Sequence, residues 1–81
     1  MTHPTLRKTL GQAIRLRREA LGQSQEGFAR TVGLHRTYLG AIERGERNPA
    51  LDNLVRIAAG LKVPLSTLFE EAERLDELGN G

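Results

Sequence analysis

Apolar residues recur three or four positions apart along most of the chain, which is the period of one face of a helix. Between residues 5 and 21 this stripe is followed by Gly22, and a glycine just past the last periodic residue is typical of a helix C-terminus. Alternating apolar and polar runs, as in a β-strand, do not reach a useful length. The pattern therefore predicts an all-α chain. The stripe of the first helix comprises Leu6, Leu10, Ala13, Ile14 and Leu21.

The next segment divides into two short helices. Ser24 is a favourable N-cap, so we expect a helix over residues 25–32, and Gly33 ends it in the left-handed conformation that glycine adopts cheaply. A third helix follows after a short turn, from residue 36 to 43 or 44, and Gly45 ends it. Two short helices joined by such a turn form the helix-turn-helix pattern. The buried face of the second helix is expected to comprise Phe28, Ala29 and Val32.

Two more helices are predicted in the C-terminal part. Asn48 and Pro49 are expected to open the fourth, because asparagine can cap and proline suits the first helical position. Pro64 is expected to start the fifth, and residues 79–81 to form a disordered tail. The inner side of the fourth helix is expected to comprise Leu51, Leu54, Val55, Ile57, Ala58 and Leu61. The stripe of the fifth comprises Leu65, Leu68, Phe69, Ala72, Leu75 and, at its end, Leu78.

Length and composition fit one small domain over residues 1–81. Hydrophobic residues make up 38% of the chain, which allows a modest core and makes oligomerisation a reasonable expectation. There is no cysteine, which excludes disulfides and thiolate metal sites, and the two histidines, at positions 3 and 35, are too far apart to suggest a metal site. The sequence has no membrane-spanning apolar run and no secretory signal, so we expect a cytoplasmic protein.

Charge is distributed unevenly, although the net charge is only +2. Residues 1–50 carry nine Lys or Arg and four acids, which leaves +5, whereas residues 51–81 carry three Lys or Arg and six acids, which leaves −3. The asymmetry suggests one side that faces a polyanion and one acidic side. Chance segregation of surface charges would give the same distribution, so charge alone does not decide.

A helical wheel of the third helix separates a core side from an outer side. Leu39 and Ile42 define the core side, and Leu34 joins them from the preceding turn. The outer half has small residues, Gly40 and Ala41, between arginines at its ends. Small residues let a helix backbone approach a groove closely, and the major groove of B-DNA admits an α-helix. The third helix therefore suits insertion into DNA.

Individual roles follow from the chemistry of DNA. Arg36 and Thr37 are candidates for base reading, because arginine bonds bidentately to guanine and a threonine methyl packs on a thymine methyl. The first turn of the second helix, with Ser24 and Gln25, offers N–H groups and a positive dipole end to a phosphate. Other candidates for contacts to the DNA backbone are Tyr38, Arg44, Arg47 and Asn48.

Some charged and aromatic residues also have structural interpretations. Tyr38 lies at an edge of the wheel, so a half-buried core position is the alternative to a phosphate contact. Glu43 is expected to form a salt bridge, either to Arg47 or to an arginine of the first helix, and Glu46 to be solvated. The arginines of the first helix are expected to be surface charges, one of which meets a flanking phosphate. They are Arg15, Arg17 and Arg18.

Two consecutive segments, "SQEGFARTVGLHRTYLGAIERGERNP" and "LDNLVRIAAGLKV", resemble the Cro/C1-type (XRE) helix-turn-helix domains, which include the lambdoid phage repressors. The resemblance covers roughly residues 10–69, and "HRTYLGAIERGERNP" is similar to controller proteins of restriction–modification systems. It implies a compact five-helix, lambda-repressor-like fold with a recognition helix over residues 36–44. It also implies a phosphate contact at Gln25, backbone contacts from the loop after the third helix, and a dimer interface on the fifth helix. The implied base-reading positions are Arg36, Thr37, Gly40 and Ala41.

The sequence departs from the family pattern at a few positions. Gln23 stands where an apolar residue is common, and Pro64 where a capping serine is common. His35 replaces the usual Ser or Asp cap, and imidazole is a poorer N-cap. Gly27 inside the second helix costs about 1 kcal/mol relative to alanine. These departures concern local stability rather than the presumed DNA contacts.

The leading hypothesis is a sequence-specific transcriptional regulator that binds double-stranded DNA as a homodimer at a roughly palindromic operator. A protein-interaction module on the same fold, such as an antitoxin or an adaptor, is the alternative, suggested by the acidic fifth helix. An enzyme is disfavoured, because the sequence offers no nucleophile–base pair, carboxylate pair or metal cluster, and no cofactor or small-molecule ligand is expected. The predicted dimer contacts are Leu65, Leu68, Phe69, Ala72 and Leu75.

Overall fold

The computed structural model describes residues 4–80 and contains five α-helices. Their bounds are α1 Pro4–Ala20, α2 Gln25–Val32, α3 Arg36–Glu43, α4 Leu51–Leu61 and α5 Leu65–Asn80. Over residues 4–80 there is no strand, in agreement with the all-α prediction. Helices α2 and α3 form the helix-turn-helix, while α1 and α5 pack extensively against each other.

The predicted ends of α2 are confirmed, together with their capping residues. Ser24 is the N-cap, and its Oγ accepts a hydrogen bond of 3.0 Å from the Gly27 N–H. Gly33 ends the helix with a φ of 75°, the left-handed conformation in which glycine is not strained. Its buried face also matches the prediction, with Phe28, Ala29 and Val32 in the core.

The predicted start of α4 is wrong. Asn48 and Pro49 lie in the preceding loop, and the N-cap is Ala50, which has no side chain able to cap. The Ala50 N–H instead points at the Tyr38 hydroxyl, 3.4 Å away, so the loop is tied to α3 before the next helix begins. The predicted disordered tail is also wrong for Gly79 and Asn80, which belong to α5, whereas Gly81 lies outside the described residues.

The core lies where all five helices meet, and its fully buried large side chains come from every one of them. They are Ile14, Phe28, Leu39, Ile42, Ile57 and Leu68. Leu68 and Ala72 are completely buried within this single chain, so their predicted role as direct dimer contacts is wrong. The other members of the predicted dimer set, Leu65, Phe69 and Leu75, are partly buried.

Several apolar residues that the sequence assigned to the core are exposed. Leu51 and Val55 are 64% and 52% exposed, because the inner side of α4 is narrower than predicted. That side is formed by Leu54, Ile57, Ala58 and Leu61. Leu21 and Leu78 are also exposed, since Leu21 follows the end of α1. The exposed residues on α4 leave an apolar surface that a small domain does not need for its own core.

An ion pair joins α1 to α5 at the edge of their contact. Arg17 Nε donates to Glu71 Oε1 over 2.8 Å, and a second bond runs from Arg17 Nη2 to the other carboxylate oxygen. These hydrogen bonds lower the pKa of the Glu71 carboxyl below its ordinary value. The carboxylate therefore stays charged at neutral pH, and Arg17 is half-buried rather than a free surface charge.

Gly11 allows α1 to pass directly over the C-terminal end of α3. A Cβ at this position would lie 2.3 Å from the Ile42 carbonyl oxygen and 2.6 Å from the Glu43 carbonyl oxygen. Both neighbours are backbone atoms, so they cannot rotate away as a side chain can. The absence of a side chain at residue 11 thus sets the distance between α1 and α3.

We expect Gly11→Ala to lower the free energy of unfolding by about 1–3 kcal/mol or more, because the added methyl overlaps backbone. At an open helical position the same change would raise stability by about 1 kcal/mol, so the sign of the effect is informative. Urea denaturation measures it. Gly22→Ala is the control, because Gly22 has a φ of 73° and open space around it, so this variant reports backbone strain without overlap. A stabilised Gly11→Ala variant would contradict the close approach.

Candidate nucleic-acid interface

The first turn of α3 is open to solvent, as predicted. Arg36 and Thr37 are both exposed at the start of the helix. His35 is the N-cap, and its Nδ1 accepts a hydrogen bond of 3.1 Å from the Thr37 N–H. The imidazole therefore caps the recognition helix despite its poor statistical preference, and it holds the backbone at the position where base reading is predicted.

Gly40 does not lie on an open outer half, so that part of the prediction is wrong. It is buried beneath the ends of two longer side chains. A Cβ at Gly40 would lie 3.1 Å from Arg44 Nη1 and 3.4 Å from Gln25 Oε1. Ala41 is half-exposed beside it. Glycine at residue 40 thus leaves room for Gln25 and Arg44 to lie across the middle of α3.

A buried ion pair holds α3 against α1. Arg18 Nε and Nη2 donate to the two carboxylate oxygens of Glu43 over 2.8 Å and 3.0 Å. The side chains are 9% and 1% exposed. Glu43 therefore pairs with an arginine of the first helix, which was one of its two predicted partners. The prediction that Arg18 is a surface charge is wrong.

Two further bonds extend this pair to α2 and to the turn before it. Gln25 Nε2 donates to Glu43 Oε1 over 2.9 Å, and Arg18 Nη1 donates to the Gln23 carbonyl oxygen over 2.8 Å. Every buried side-chain nitrogen and oxygen among the described residues has a hydrogen-bond partner. The Glu43 carboxylate raises the pKa of Arg18 through its hydrogen bonds, and burial opposes it. The guanidinium remains charged, and three helices are fixed to one another.

Tyr38 occupies the half-buried position that was the alternative to a phosphate contact. Its ring is half-buried, and its hydroxyl oxygen accepts a bond of 3.0 Å from Asn53 Nδ2 as well as the weaker one from the Ala50 N–H. The Arg47 guanidinium lies 5.3 Å from the ring centroid, at the distance of a cation–π contact. Since a tyrosine hydroxyl also carries a proton, Tyr38 can still donate to a phosphate.

The loop after α3 contains the remaining residues that are predicted to contact the DNA backbone, and two basic residues of α1 lie beside it. Arg44 Nε donates to Glu46 Oε2 over 3.1 Å, so Glu46 is exposed but paired. Arg7 Nε donates to the Gly45 carbonyl oxygen over 3.1 Å, and Lys8 packs against Gly45. Two adjacent basic residues at the start of a helix do not by themselves predict a DNA contact. Arg7 and Lys8 come to lie beside the loop through the packing of α1 against α3.

Among residues 4–80, no group of three or more His, Cys, Asp or Glu is placed to hold a metal ion, and His3 lies outside the described residues. No helix in the same range is long and apolar enough to cross a membrane.

The buried pair gives a direct test of this arrangement. Arg18→Met should lower the free energy of unfolding by about 3–5 kcal/mol, because it leaves the Glu43 carboxylate buried without a counter-charge. Arg15→Met is the matched control on the same helix. It breaks an exposed ion pair with Glu19, and exposed pairs contribute about 1 kcal/mol or less. Urea denaturation compares the two, and equal losses would contradict the role of the buried pair.

Comparisons with known proteins agree with this geometry. A family described as helix-turn-helix matches residues 14–68, which is more than half of the chain and contains α2, α3 and the Arg18–Glu43 pair. The control protein C.MunI of a Mycoplasma species is 48% identical over 60 residues, covering 74% of this chain and 81% of the relative.

Solved structures extend the likeness to the fold. The restriction-modification controller protein C.AhdI from Aeromonas hydrophila is 41% identical with a TM-score of 0.74, covering 75% of this chain and 92% of that one. The clp gene regulator ClgR from Corynebacterium glutamicum is 25% identical with a TM-score of 0.91, covering 98% and 84%. The chain therefore belongs to the Cro/C1-type (XRE) helix-turn-helix family of DNA-binding transcriptional regulators.

Proposed function

We propose that this chain binds a roughly palindromic DNA operator as a homodimer and thereby controls transcription. The observation that carries the proposal is the exposed first turn of α3, held rigidly by the Arg18–Glu43–Gln25 network and surrounded by basic side chains. A helix of this kind, presented by a fixed support, fits the major groove. The names of the control proteins that the chain resembles support a regulatory role.

Arg36 and Thr37 are the proposed base-reading residues. Both are exposed at the N-terminal end of α3, the end that contacts base edges in helix-turn-helix proteins. Ala41, one turn further along, offers an apolar contact to a thymine methyl. Gly40 is proposed to contribute by leaving room for other side chains, because Gln25 and Arg44 occupy the space above it.

The proposed DNA-backbone contacts surround this reading turn. Ser24 and Gln25 lie at the N-terminus of α2, where free N–H groups favour a phosphate. Tyr38 is held by Asn53 with its hydroxyl proton available. The loop after α3 completes the set with Arg44, Arg47 and Asn48. Because the proposed ligand is operator DNA, we place the action of this protein in the cytoplasm. An enzymatic activity, a cofactor and a small-molecule effector form no part of the proposal.

The second copy is proposed to cover an α4–α5 surface, which we define by Leu51, Val55, Leu65 and Phe69. Leu51 and Phe69 line one groove, Val55 lies one turn after Leu51, and Leu65 one turn before Phe69. The two α4 residues are exposed and the two α5 residues are partly buried. Leu75, the other open residue of the predicted dimer set, lines a different groove with Leu16. Its role as a dimer contact stays a prediction.

The dimer prediction can be tested with charged substitutions. Leu51→Glu and Val55→Glu should convert a dimer into a monomer at micromolar concentration, because each places a charge in the apolar contact. Leu16→Glu is the matched control, since Leu16 is 56% exposed but lies on the α1–α5 side. Analytical ultracentrifugation measures the association state. A wild-type protein that stays monomeric, or dissociation only by Leu16→Glu, would refute the α4–α5 surface.

The DNA prediction separates reading from positioning. Arg36→Ala should relax specificity at one position per half-site, by about 1–3 kcal/mol, because one bidentate base contact is lost. Arg47→Ala should instead weaken binding to all sequences and reduce the salt slope by about one. Both are measured by binding titrations on an operator selected from a random library and on scrambled DNA. Equal wild-type affinity for the two DNAs at fixed salt would refute the function itself.

The alternative, a protein-interaction module, is favoured by one observation. The outward side of α5 is acidic and exposed at Glu70, Glu73 and Glu77. This charge opposes DNA binding on that side of the chain, and it would suit a basic protein partner. A stoichiometric protein partner recovered together with no DNA footprint would support this alternative over DNA binding.

A further inference from the structure

Glu26 is an acidic residue beside the proposed base-reading arginine. It lies in the first turn of α2, where the helix dipole favours a carboxylate. Its Oε2 accepts a hydrogen bond of 3.1 Å from Arg36 Nη1, and its Oε1 lies 3.6 Å from Arg30 Nη2. The contact with Arg36 joins α2 to α3 across the turn. A negative charge in this place repels nearby phosphates. Glu26 therefore does not serve to raise the affinity for DNA.

We propose that Glu26 is a positioning residue that sets the sequence specificity of Arg36. It directs the guanidinium towards base edges, and it competes with phosphates for the same group. The inference rests on the proposed function, since it assigns Glu26 a part in the reading of an operator. Glu26 itself need not touch DNA.

The geometry leaves Arg36 free to read a base while Glu26 holds it. The bond to Glu26 uses Nη1, and an arginine side chain has five N–H donors. The edge formed by Nε and Nη2 is therefore available for the O6 and N7 acceptors of guanine. A guanidinium that is already oriented loses less conformational freedom when it binds the base, so the cognate contact is favoured.

On DNA without a guanine at this position, the same pair disfavours binding. Glu26 keeps Arg36 as its partner, and the arginine does not move to a phosphate. The pair is exposed, with side chains that are 59% and 62% accessible, so it is weak enough to be shared with a base. Arg30, four residues after Glu26 on α2, also faces the carboxylate.

The test is Glu26→Gln, which removes the charge and keeps the shape. Binding to a selected operator and to a scrambled duplex is titrated at several salt concentrations. We expect tighter binding to scrambled DNA, with a salt slope steeper by about one, because Arg36 becomes free to neutralise a phosphate. The ratio of the two affinities should fall roughly tenfold, within the range that one base contact supplies. An unchanged ratio would overturn the proposal.

Two variants separate positioning from net charge. Glu19→Gln makes the same charge change and breaks a comparable exposed pair with Arg15 at 3.1 Å, on α1 rather than on the helix-turn-helix. It should alter both affinities by the same factor. Glu26→Asp keeps the charge but shortens the reach to Arg36, so it should lower the ratio as Glu26→Gln does. The inference is wrong if Glu26→Asp keeps the wild-type ratio of affinities and Glu26→Gln changes both affinities by the same factor, as Glu19→Gln does. The effect would then come from net charge alone.

A double-mutant cycle with Arg36 completes the design. In an Arg36→Ala background, Glu26→Gln should leave the ratio of the two affinities unchanged, because the guanidinium that Glu26 positions is absent. The same fall in the ratio with and without Arg36 would overturn the inference. A wild-type protein that does not discriminate between the two DNAs would refute the proposed function, whereas intact wild-type discrimination with an unchanged ratio in Glu26→Gln refutes only the role of Glu26. Circular dichroism checks that every variant is folded.

Discussion

The buried pair of Arg18 and Glu43 is the interaction on which the arrangement of this protein depends. A carboxylate at the C-terminal end of α3 is removed from water, and among the described residues the bidentate guanidinium and the Gln25 amide satisfy it. Apolar contacts between short helices tolerate sliding and rotation, whereas these bonds have directions and lengths. A shift of α3 relative to α1 or α2 would leave a buried charge unpaired, which is costly. The polar network therefore adds a directional constraint to the packing of the apolar core.

The site has a buried ion pair behind α3 and exposed ion pairs in front of it. Behind α3 the ion pair is dry and fully satisfied. In front, Arg36 and Arg44 are held by Glu26 and Glu46 in exposed pairs that water and salt weaken. A phosphate can replace Glu46 at Arg44 at little cost, whereas Arg36 keeps its Nε–Nη2 edge free for a base while Glu26 holds it. The chain thus orders both arginines before DNA is bound.

Local signals in the sequence predicted the helix-turn-helix because the caps act within a few residues. Ser24 and Gly33 bound α2 as expected, and the wheel correctly exposed Arg36 and Thr37. Interactions between distant residues were not predictable in this way. Nothing near Arg18 shows that its partner lies on α3, and nothing near Ala50 shows that its N–H faces Tyr38. The helical wheel also placed Gly40 on an open side. A wheel describes one helix, so it does not include Gln25 of α2, which covers Gly40 in the structure.

The hydroxyl of Tyr38 has a consequence for how operator binding and association relate. It contacts Ala50 and Asn53, which flank Leu51, the first residue of the α4–α5 surface. On the proposed function, a phosphate bound at Tyr38 and a second copy bound at Leu51 order the same short stretch of backbone. Two events that require one geometry favour each other by equal free energies, since linkage is reciprocal. On this proposal, DNA would tighten the dimer by the same factor by which dimerisation tightens DNA binding, and the response to protein concentration would be steeper than that of two independent events.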